Sequence, residues 1–592
     1  MYFNRYTAVF FAALTFSACA NTDEDSSPDG EFEQAFTDGK ADDFWGSCQS
    51  EKVLQLINST ATTADLLKDR GVHTRAANNI IDARNGADGV AGTADDKVFA
   101  SVVEIDDVPY VGPVAMDSLG ALVADLCITP AAAQVEVIFS PQDYQNSHLK
   151  KVADLIDQAQ DSVDIAMYSY SDAGIGSALE RAVDRGVSVR MIFDTANSEK
   201  SSPANTKSSR LEDAGVDVRY VNKIMHHKFA IIDGPRNAAS ANQSTTDNGV
   251  LFTGSGNWSH SAGTKYDENT VFVYGNAELN LRYQQEFNTL WGHSRDFEWN
   301  TELEFFESDT IDDSMIPDDP SVDAVFTSPN FKQTYSSRYG NTFTTLSGTN
   351  TVANRLVEMI EGAEKSIWIA SGHLRSRPVS IALMKKVEEN PELDVRILLD
   401  GQEFIAESTH EIQLRNLDSC IADAAGNTSK ENKCFDRGFY FSYSMVEAGI
   451  PVKFKYYSYR WHYSYAVQMH HKYFIVDGET VATGSYNLSD NAEHNTFENV
   501  VFFEGAQYPE LVESFVENFN NLWVLGDEDA LYTELMDEVE NGTGRVPIVF
   551  DSMSLSWEQV NELKRAIVAN CSDVNSSSFR SRPERHHSCT RR

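Results

Sequence analysis

An α/β protein made of two copies of one unit is predicted by three observations. Apolar strand-like runs alternate with helical stretches such as Ile175 to Val183, which marks an α/β unit with a mixed sheet. From about residue 135 the sequence repeats itself. Val135-Glu136-Val137-Ile138-Phe139-Ser140-Pro141 matches Val325-Phe326-Thr327-Ser328-Pro329, and Ala159 to Ala166 matches Ala363 to Ala370. Val189-Arg190-Met191-Ile192-Phe193-Asp194 matches Val395-Arg396-Ile397-Leu398-Leu399-Asp400, and Ala214 to Val218 matches Ala448 to Val452. Each copy then carries one polar signature. His226-His227-Lys228 opens an apolar run ending at Asp233, with Gly254-Ser255-Gly256-Asn257 and Glu268-Asn269 downstream. His470-His471-Lys472 opens another ending at Asp477, followed by Gly484-Ser485-Tyr486-Asn487 and Glu498-Asn499.

These residue types suit a phosphodiester. Strand alternation puts His226 and Lys228 on one face and His227 on the other, and likewise His470 and Lys472. A lysine ammonium holds a non-bridging oxygen while an imidazole attacks or donates a proton. Gly-Ser-x-Asn reads as a tight turn that admits a phosphate, with Ser255, Asn257, Ser485 and Asn487 as candidate phosphate ligands. Glu268 and Glu498 are candidates for orienting the histidines. A structural role for each His pair is the competing reading, and the duplication of the whole pattern argues against it.

The doubled H-x-K-x4-D and G-S-x-N pattern resembles the phospholipase D superfamily over about residues 135–526. The resemblance implies two sandwich-like α/β lobes, 135–300 and 320–526, related by a pseudo-twofold axis and sharing one active site. It implies a catalytic set of His226, Lys228, Asp233, His470, Lys472 and Asp477, and a two-step reaction through a phosphohistidine. His226 is then the nucleophile and His470 the acid and base, kept charged by Glu498 or Asp477. Lys228, Lys472, Asn257 and Asn487 hold the non-bridging oxygens in place of a metal, and no cofactor is required.

In chain order, residues 1–19 read as an export signal: Arg5 flanks a short apolar core, Ala8 to Leu14. Phe16-Ser17-Ala18-Cys19 resembles a bacterial lipoprotein cleavage box with Cys19 as the lipidated residue; ordinary cleavage after Ala18-Cys19-Ala20 is the alternative. Either makes the protein exported, as an outer-membrane-anchored lipoprotein or a secreted protein. Residues 20–43, acidic and poor in apolar groups, are expected to be a flexible linker. Residues 44–129 form a small helical module that resembles a helix-hairpin-helix around Val108-Pro109-Tyr110-Val111-Gly112-Pro113, with Tyr110 where that hairpin has Gly. Residues 98–134 contain no Lys or Arg, which argues against phosphate contact there. Within the module, Asp88, Asp95 and Asp96 offer oxygen ligands for a structural Ca²⁺, against a solvated acidic turn.

Apart from Cys19, sequence proximity pairs Cys48 with Cys127, Cys420 with Cys434, and Cys571 with Cys589, as suits an exported chain. The first half carries an extra loop around Asn237 to Asn248, expected near the site. The second half carries an insertion at about 401–447, then an aromatic run through Tyr456, Tyr457, Tyr459, Trp461, Tyr463 and Tyr465. Such rings anchor at a lipid interface, stack on bases or serve as strand residues. Residues 527–592 read as a C-terminal extension with a basic end.

The formal net charge of −41 repels anionic polymers at long range. Yet between Lys200 and Lys228 the basic residues outnumber the acidic, as they do between Ala448 and Asp477, which suits an anionic substrate. Three functions follow: a phospholipase D acting on head groups such as that of phosphatidylcholine, a nuclease of the same superfamily, or an inactive binding protein on the scaffold. Global acidity, the lipobox and the aromatic run favour the first, with phospholipid and membrane as partners and a monomer as the expected state; nucleic acid remains the partner of the second.

Overall fold

The structure is a computed structural model that describes residues 47–60, 62–124, 134–297, 311–336, 340–435, 442–456, 468–525, 531–541, 546–547, 552–570, 576 and 590–591. The chain divides into two compact units, Met1–Ile128 and Thr129–Arg592. In the first, helices Ser47–Asn58, Ala64–Asp69, Thr74–Arg84, Val102–Asp106 and Pro113–Ala124 close on Val53, Ile57, Ile80, Ile105 and Leu119. Arg84 is buried there and donates to the carbonyls of Ile57, Ser59 and Thr62. Tyr110 has φ +70°, the left-handed conformation that glycine supplies without strain.

The second unit contains two sheets. The first uses β1 (Gln134–Ser140), β2 (Ser162–Met167), β3 (Ser188–Phe193), β4 (Asp217–Tyr220), β6 (Lys228–Ile232), β7 (Val250–Gly254), β8 (Glu268–Tyr274) and β9 (Arg295–Asp296), with β5 (Ile224–Met225) standing apart. Its order is β1-β8-β7-β6-β2-β3-β4-β9, and only β2, β3 and β4 run parallel to their neighbours. The second sheet uses β10 (Val322–Phe326), β13 (Ser366–Ser371), β14 (Asp394–Asp400), β15 (Val452–Tyr456), β16 (Lys472–Val476), β17 (Thr480–Gly484) and β19 (Asn499–Glu504). A hairpin of β11 (Phe331–Ser336) and β12 (Gly340–Thr345) and the short β18 (Thr496–Phe497) lie outside it. Its order, β10-β19-β17-β16-β13-β14-β15, repeats the first strand for strand.

The repeat ends differently from the sequence boundary at 526. Met553–Ser556 adds an antiparallel eighth strand to β15, and helix Trp557–Asn570 buries Val560, Leu563 and Ile567 in the lobe-2 core. Part of the C-terminal extension thus belongs to the lobe.

Alternation along the motif strands divides the core. Phe229 and Ile231 of β6, with Tyr473 and Ile475 of β16, join one cluster built from both lobes. Ala230 and Ile232 face the helices of lobe 1, and Phe474 and Val476 those of lobe 2. Burying a large apolar side chain is worth roughly 1.5–3 kcal/mol, so the shared cluster holds the lobes as one body.

Cys420 and Cys434 are disulfide-bonded within the lobe-2 insertion. The other proposed pairs, Cys19, and the aromatic run beyond Tyr456 lie outside the described residues or side chains; Tyr456 itself is buried in β15. Among the described residues no helix is long and apolar enough to cross a membrane.

Candidate active site

The two motif strands begin at the interface between the lobes. His226 N donates to Phe497 O at 3.1 Å, and His470 N to Asp267 O at 3.0 Å, so each histidine is anchored by the other lobe. The residue after each of those acceptors is a glutamate. His226 Nδ1 lies 2.8 Å from Glu498 Oε2, and His470 Nδ1 lies 2.8 Å from Glu268 Oε1. Both carboxylates are fully buried. The structure therefore overturns the expected pairing of Glu498 or Asp477 with His470: Glu268 is its partner, and Glu498 orients His226. With each Nδ1 on a carboxylate, each Nε2 is left to face the reaction.

The lysines sit beside the imidazoles. Lys228 Nζ donates to His226 O at 2.7 Å and lies 3.2 and 3.3 Å from the two ring nitrogens, and Lys472 Nζ donates to His470 O at 2.8 Å. Burial pushes Lys228 down to about 7 and Lys472 to about 8. Burial, then the lysine charges, hold both His226 and His470 well below the usual imidazole range. Burial also raises Glu268 and Glu498 to about 7. The free site thus favours neutral imidazoles, and it titrates as a cluster near neutrality.

The Gly-Ser pair has a different role from the one expected. A Cβ at Gly254 would meet Asn269 O at 2.2 Å, and one at Gly484 would meet Asn499 O at 2.2 Å, so each glycine admits the neighbouring strand rather than a phosphate. Ser255 Oγ accepts from Asn269 N, and Ser485 Oγ accepts from Asn499 N while donating to Glu498 Oε2 at 2.7 Å. Both serines are fully buried and position the glutamate–asparagine segments; they are not phosphate ligands here. The asparagines two residues on fit the phosphate role: Asn257 and Asn487 each keep a buried side-chain oxygen without a hydrogen-bond partner. Oxygen and nitrogen of such an amide are interchangeable assignments, so an unmet amide is available on each lobe.

Asp233 and Asp477 are not at the reaction centre. Each stands five residues beyond its lysine, roughly 16 Å along the strand. Asp233 accepts from the backbone N–H groups of Gln160, Asp161 and Ser162, and Asp477 from those of Glu364, Lys365 and Ser366. Both adopt positive φ, +52° and +57°, at the turn that ends the strand. They cap the neighbouring strand. The loop around Asn237 to Asn248 follows Asp233 and is tied by Asn280, on helix Ala277–Trp291, at the end of the sheet away from the histidines. Asp233→Asn and Asp477→Asn keep a residue that tolerates positive φ and remove the charge. Each is expected to cost about 2 kcal/mol of stability with kcat of the folded protein unchanged. Urea unfolding beside steady-state kinetics checks this, and a large fall in kcat at full folding would return the aspartates to the chemistry.

Asp88, Asp95 and Asp96 are not gathered into a metal cage. Asp95 accepts from Ala87 N and Asp88 N, Asp96 from Gly92 N, and Asp88 from Val90 N, so the loop's own N–H groups occupy the carboxylates. Among the described residues no cluster of three or more metal-ligating side chains occurs.

Several supporting residues went unread in the sequence. Asp194 accepts from Met225 N at 2.9 Å and Asp400 from Met469 N at 3.0 Å, each fixing the residue before a catalytic histidine. Their signal was present in the repeated strands that both end in Asp. Lys455 pairs with Asp267 inside the interface. The asparagine after each glutamate spans the lobes: Asn269 lies 3.1 Å from His471 Nδ1 and 2.6 Å from Thr483 Oγ1, and Asn499 lies 3.0 Å from His227 Nδ1 and 2.8 Å from Thr253 Oγ1. The Tyr168 ring stands 4.5 Å from that of His226, and the equivalent backbone position in lobe 2 is Gly372.

The arrangement provides two oriented imidazoles, two ammonium groups and two unmet amides, enough for in-line attack at phosphorus with proton transfer from the opposite side. The family described as "Cardiolipin synthase, PLD-like domain" matches residues 152–291 and 356–523, one segment in each lobe and just over half the chain together. The protein called mitochondrial cardiolipin hydrolase in Xenopus tropicalis is 28% identical over 167 residues, 28% of this chain and 71% of that protein. Its namesake in Chlamydomonas reinhardtii is 30% identical over 145 residues, covering 24% and 57%. Among solved structures, phosphatidylserine synthase of Haemophilus influenzae Rd KW20 is 11% identical with a TM-score of 0.41, covering 65% of this chain and 86% of that one. Nuc of Salmonella typhimurium, a phospholipase D family member, is 20% identical with a TM-score of 0.22, covering 34% and 93%.

Proposed function

The chain belongs to the phospholipase D superfamily, and from that premise we propose that this phosphodiesterase is an exported phospholipase D that hydrolyses the head-group phosphodiester of phospholipids. The observation that carries the reading is the pair of imidazole–glutamate dyads, each completed across the lobe interface. His226, crowded by Lys228 and disfavoured as a cation, attacks phosphorus through Nε2 and becomes phosphorylated. His470, whose side chain is 20% exposed, takes up a proton as the anionic substrate binds, gives it to the leaving alkoxide, and then removes one from water. Lys228, Lys472, Asn257 and Asn487 hold the non-bridging oxygens through both steps. The relatives' names support a glycerophospholipid, and the export signal with Cys19 supports a membrane-anchored enzyme, which fractionation of a Cys19→Ser variant tests.

The deciding assay offers the mature protein vesicles of phosphatidylcholine, phosphatidylglycerol and cardiolipin beside single- and double-stranded DNA, with EDTA throughout. Lipid turnover that survives EDTA is expected, because ammonium groups supply the positive charge. DNA cleavage without lipid turnover would establish the nuclease reading instead. No turnover of any of them, with binding retained, would leave a binding protein.

The lysines also set a pH profile. Above about 7 to 8 they lose the charge that binds phosphate, so kcat/KM is expected to fall on that limb. A bound anion favours the charged ammonium and raises its pKa, so the same limb in kcat is expected at higher pH. A kcat/KM that stays flat from roughly pH 6 to 10 would remove the lysines from phosphate binding.

A further inference from the structure

Tyr168 is the first residue after β2, and the register of the sheet delivers it to the nucleophile. Met167 pairs with Lys228 across β2 and β6, and Tyr168 N donates to His227 O at 3.0 Å. The segment that follows is held from the other side. Trp258, the residue after Asn257, donates from its backbone N to Ser169 O at 3.0 Å, and its carbonyl accepts from Ser171 N at 2.8 Å. The backbone at Tyr168 is thereby tied to the motif strand and to the turn that carries the lobe-1 amide. In lobe 2, Gly372 N makes the matching bond to His471 O at 3.1 Å. A Cβ on Gly372 would stand 3.0 Å from Met469 O, so a side chain at that position would be crowded by the backbone before His470.

The Tyr168 side chain is placed by contact with two catalytic groups. Its ring centroid lies 4.5 Å from that of His226, with the planes tilted by 57°, which is the range of a packed aromatic pair. The Lys228 ammonium lies 5.2 Å from the same centroid, within reach of cation–π attraction. The residue is 36% exposed, so the ring is seated on these groups at one side and meets solvent at the other. Burial, then the Asp194 and Glu498 charges, raise its phenol, which stays neutral while the lysines titrate. Glu498 holds the His226 imidazole at one nitrogen. One hydrogen bond fixes a direction and leaves the plane of the ring free to turn; a second surface has to fix the plane.

We infer that Tyr168 is the positioning residue of the nucleophile: its ring fixes the plane of the His226 imidazole for attack on phosphorus and braces the Lys228 ammonium beside it. The inference rests on the phosphodiesterase reading with His226 as nucleophile, and is independent of which phosphodiester the enzyme takes. Misplacing an attacking atom by about 1 Å costs on the order of 10²-fold in rate. Loss of the ring face also removes an attraction that favours the charged ammonium, which lowers the Lys228 pKa. The other groups that face Lys228 are untouched by a change at Tyr168: His226 beside it, and the charges of Glu498, Glu268, Asp194 and Lys472.

The test takes the mature protein as wild type, Tyr168→Phe and Tyr168→Leu, with a p-nitrophenyl phosphodiester whose leaving group departs without a proton. Phe keeps the ring and loses the hydroxyl; Leu keeps apolar bulk and loses the ring. Tyr168→Leu is expected to slow phosphoenzyme formation, read by acid quench, about 10- to 100-fold. It is also expected to move the alkaline limb of kcat/KM about half a pH unit lower. Tyr168→Phe is expected to stay within about threefold of the wild type, with its limb in place. Equal losses in the two variants would assign the role to the hydroxyl and overturn the inference. So would a Leu variant within about twofold of the wild type, or a slower one whose limb does not move. Should Tyr168→Leu lose its fold by circular dichroism, Tyr168→Met, unbranched and without a ring, carries the same expectations. A wild type that forms no phosphoenzyme at His226 would overturn the nucleophile assignment and this inference with it. Turnover of DNA without lipid would overturn the phospholipase reading alone, because the p-nitrophenyl substrate reads His226 in either case.

Discussion

His226→Ala and His470→Ala are each expected to lose turnover by a factor of about 10⁴ or more, because nucleophile and proton donor act as a unit. The two losses differ in kind. His470→Ala retains the imidazole that attacks and the ammonium groups that bind phosphate. Given a substrate whose leaving group departs without a proton, such as a p-nitrophenyl phosphodiester, it is expected to form the phosphoenzyme and then stall, since no base activates water. His226→Ala is expected to form none. Rapid acid quench with phosphate-labelled substrate reads the difference directly. A phosphoenzyme in His226→Ala and not in His470→Ala would reverse the roles. Near-normal turnover by either variant would sink the shared site.

The glutamates carry the second large effect, and its pattern follows from the crossing of the dyads. Glu498→Gln removes the carboxylate facing His226 Nδ1, and Glu268→Gln removes the one facing His470 Nδ1, each at a fully buried position. Each loses the fixed orientation of its imidazole and the countercharge that stabilises the ring as it becomes cationic, an effect of about 10²–10⁴ in kcat. Glu498→Gln is expected to slow phosphoenzyme formation even with an activated leaving group. Glu268→Gln is expected to be largely rescued by that leaving group in the first step and to remain slow in the second. The opposite pattern would mean that each glutamate serves the histidine of its own lobe.

That crossing is what the sequence could not display. The histidines, lysines, asparagines and glutamates were all legible, because a repeated spacing of rare residue types is a local property. Partnership was not: Glu498 lies near His470 along the chain, yet it meets His226 across a separation of 272 residues. The two motif aspartates were misjudged for a related reason. Asp233-Gly234 and Asp477-Gly478 are turn dipeptides as well as motif members, and the turn geometry decided their role. The glycines of Gly-Ser were read as room for phosphate, whereas the nearest obstacle is the carbonyl of the adjoining strand, visible only once the sheet is assembled. The eighth strand of lobe 2, Met553–Ser556, is too short and too rich in serine to stand out by periodicity, and its pairing with β15 alone defines it.

The exchange of glutamates also constrains how such a chain can change over time. Neither half owns a complete dyad, so a half on its own lacks the carboxylate that orients its histidine. A substitution that shifts β8 moves the carboxylate of His470, and its remedy lies in β16, some two hundred residues away on the other arm of the repeat. The duplicated halves have become obligate correspondents: one lobe transplanted into another enzyme of the superfamily would bring its histidine but leave behind the residue that aims it.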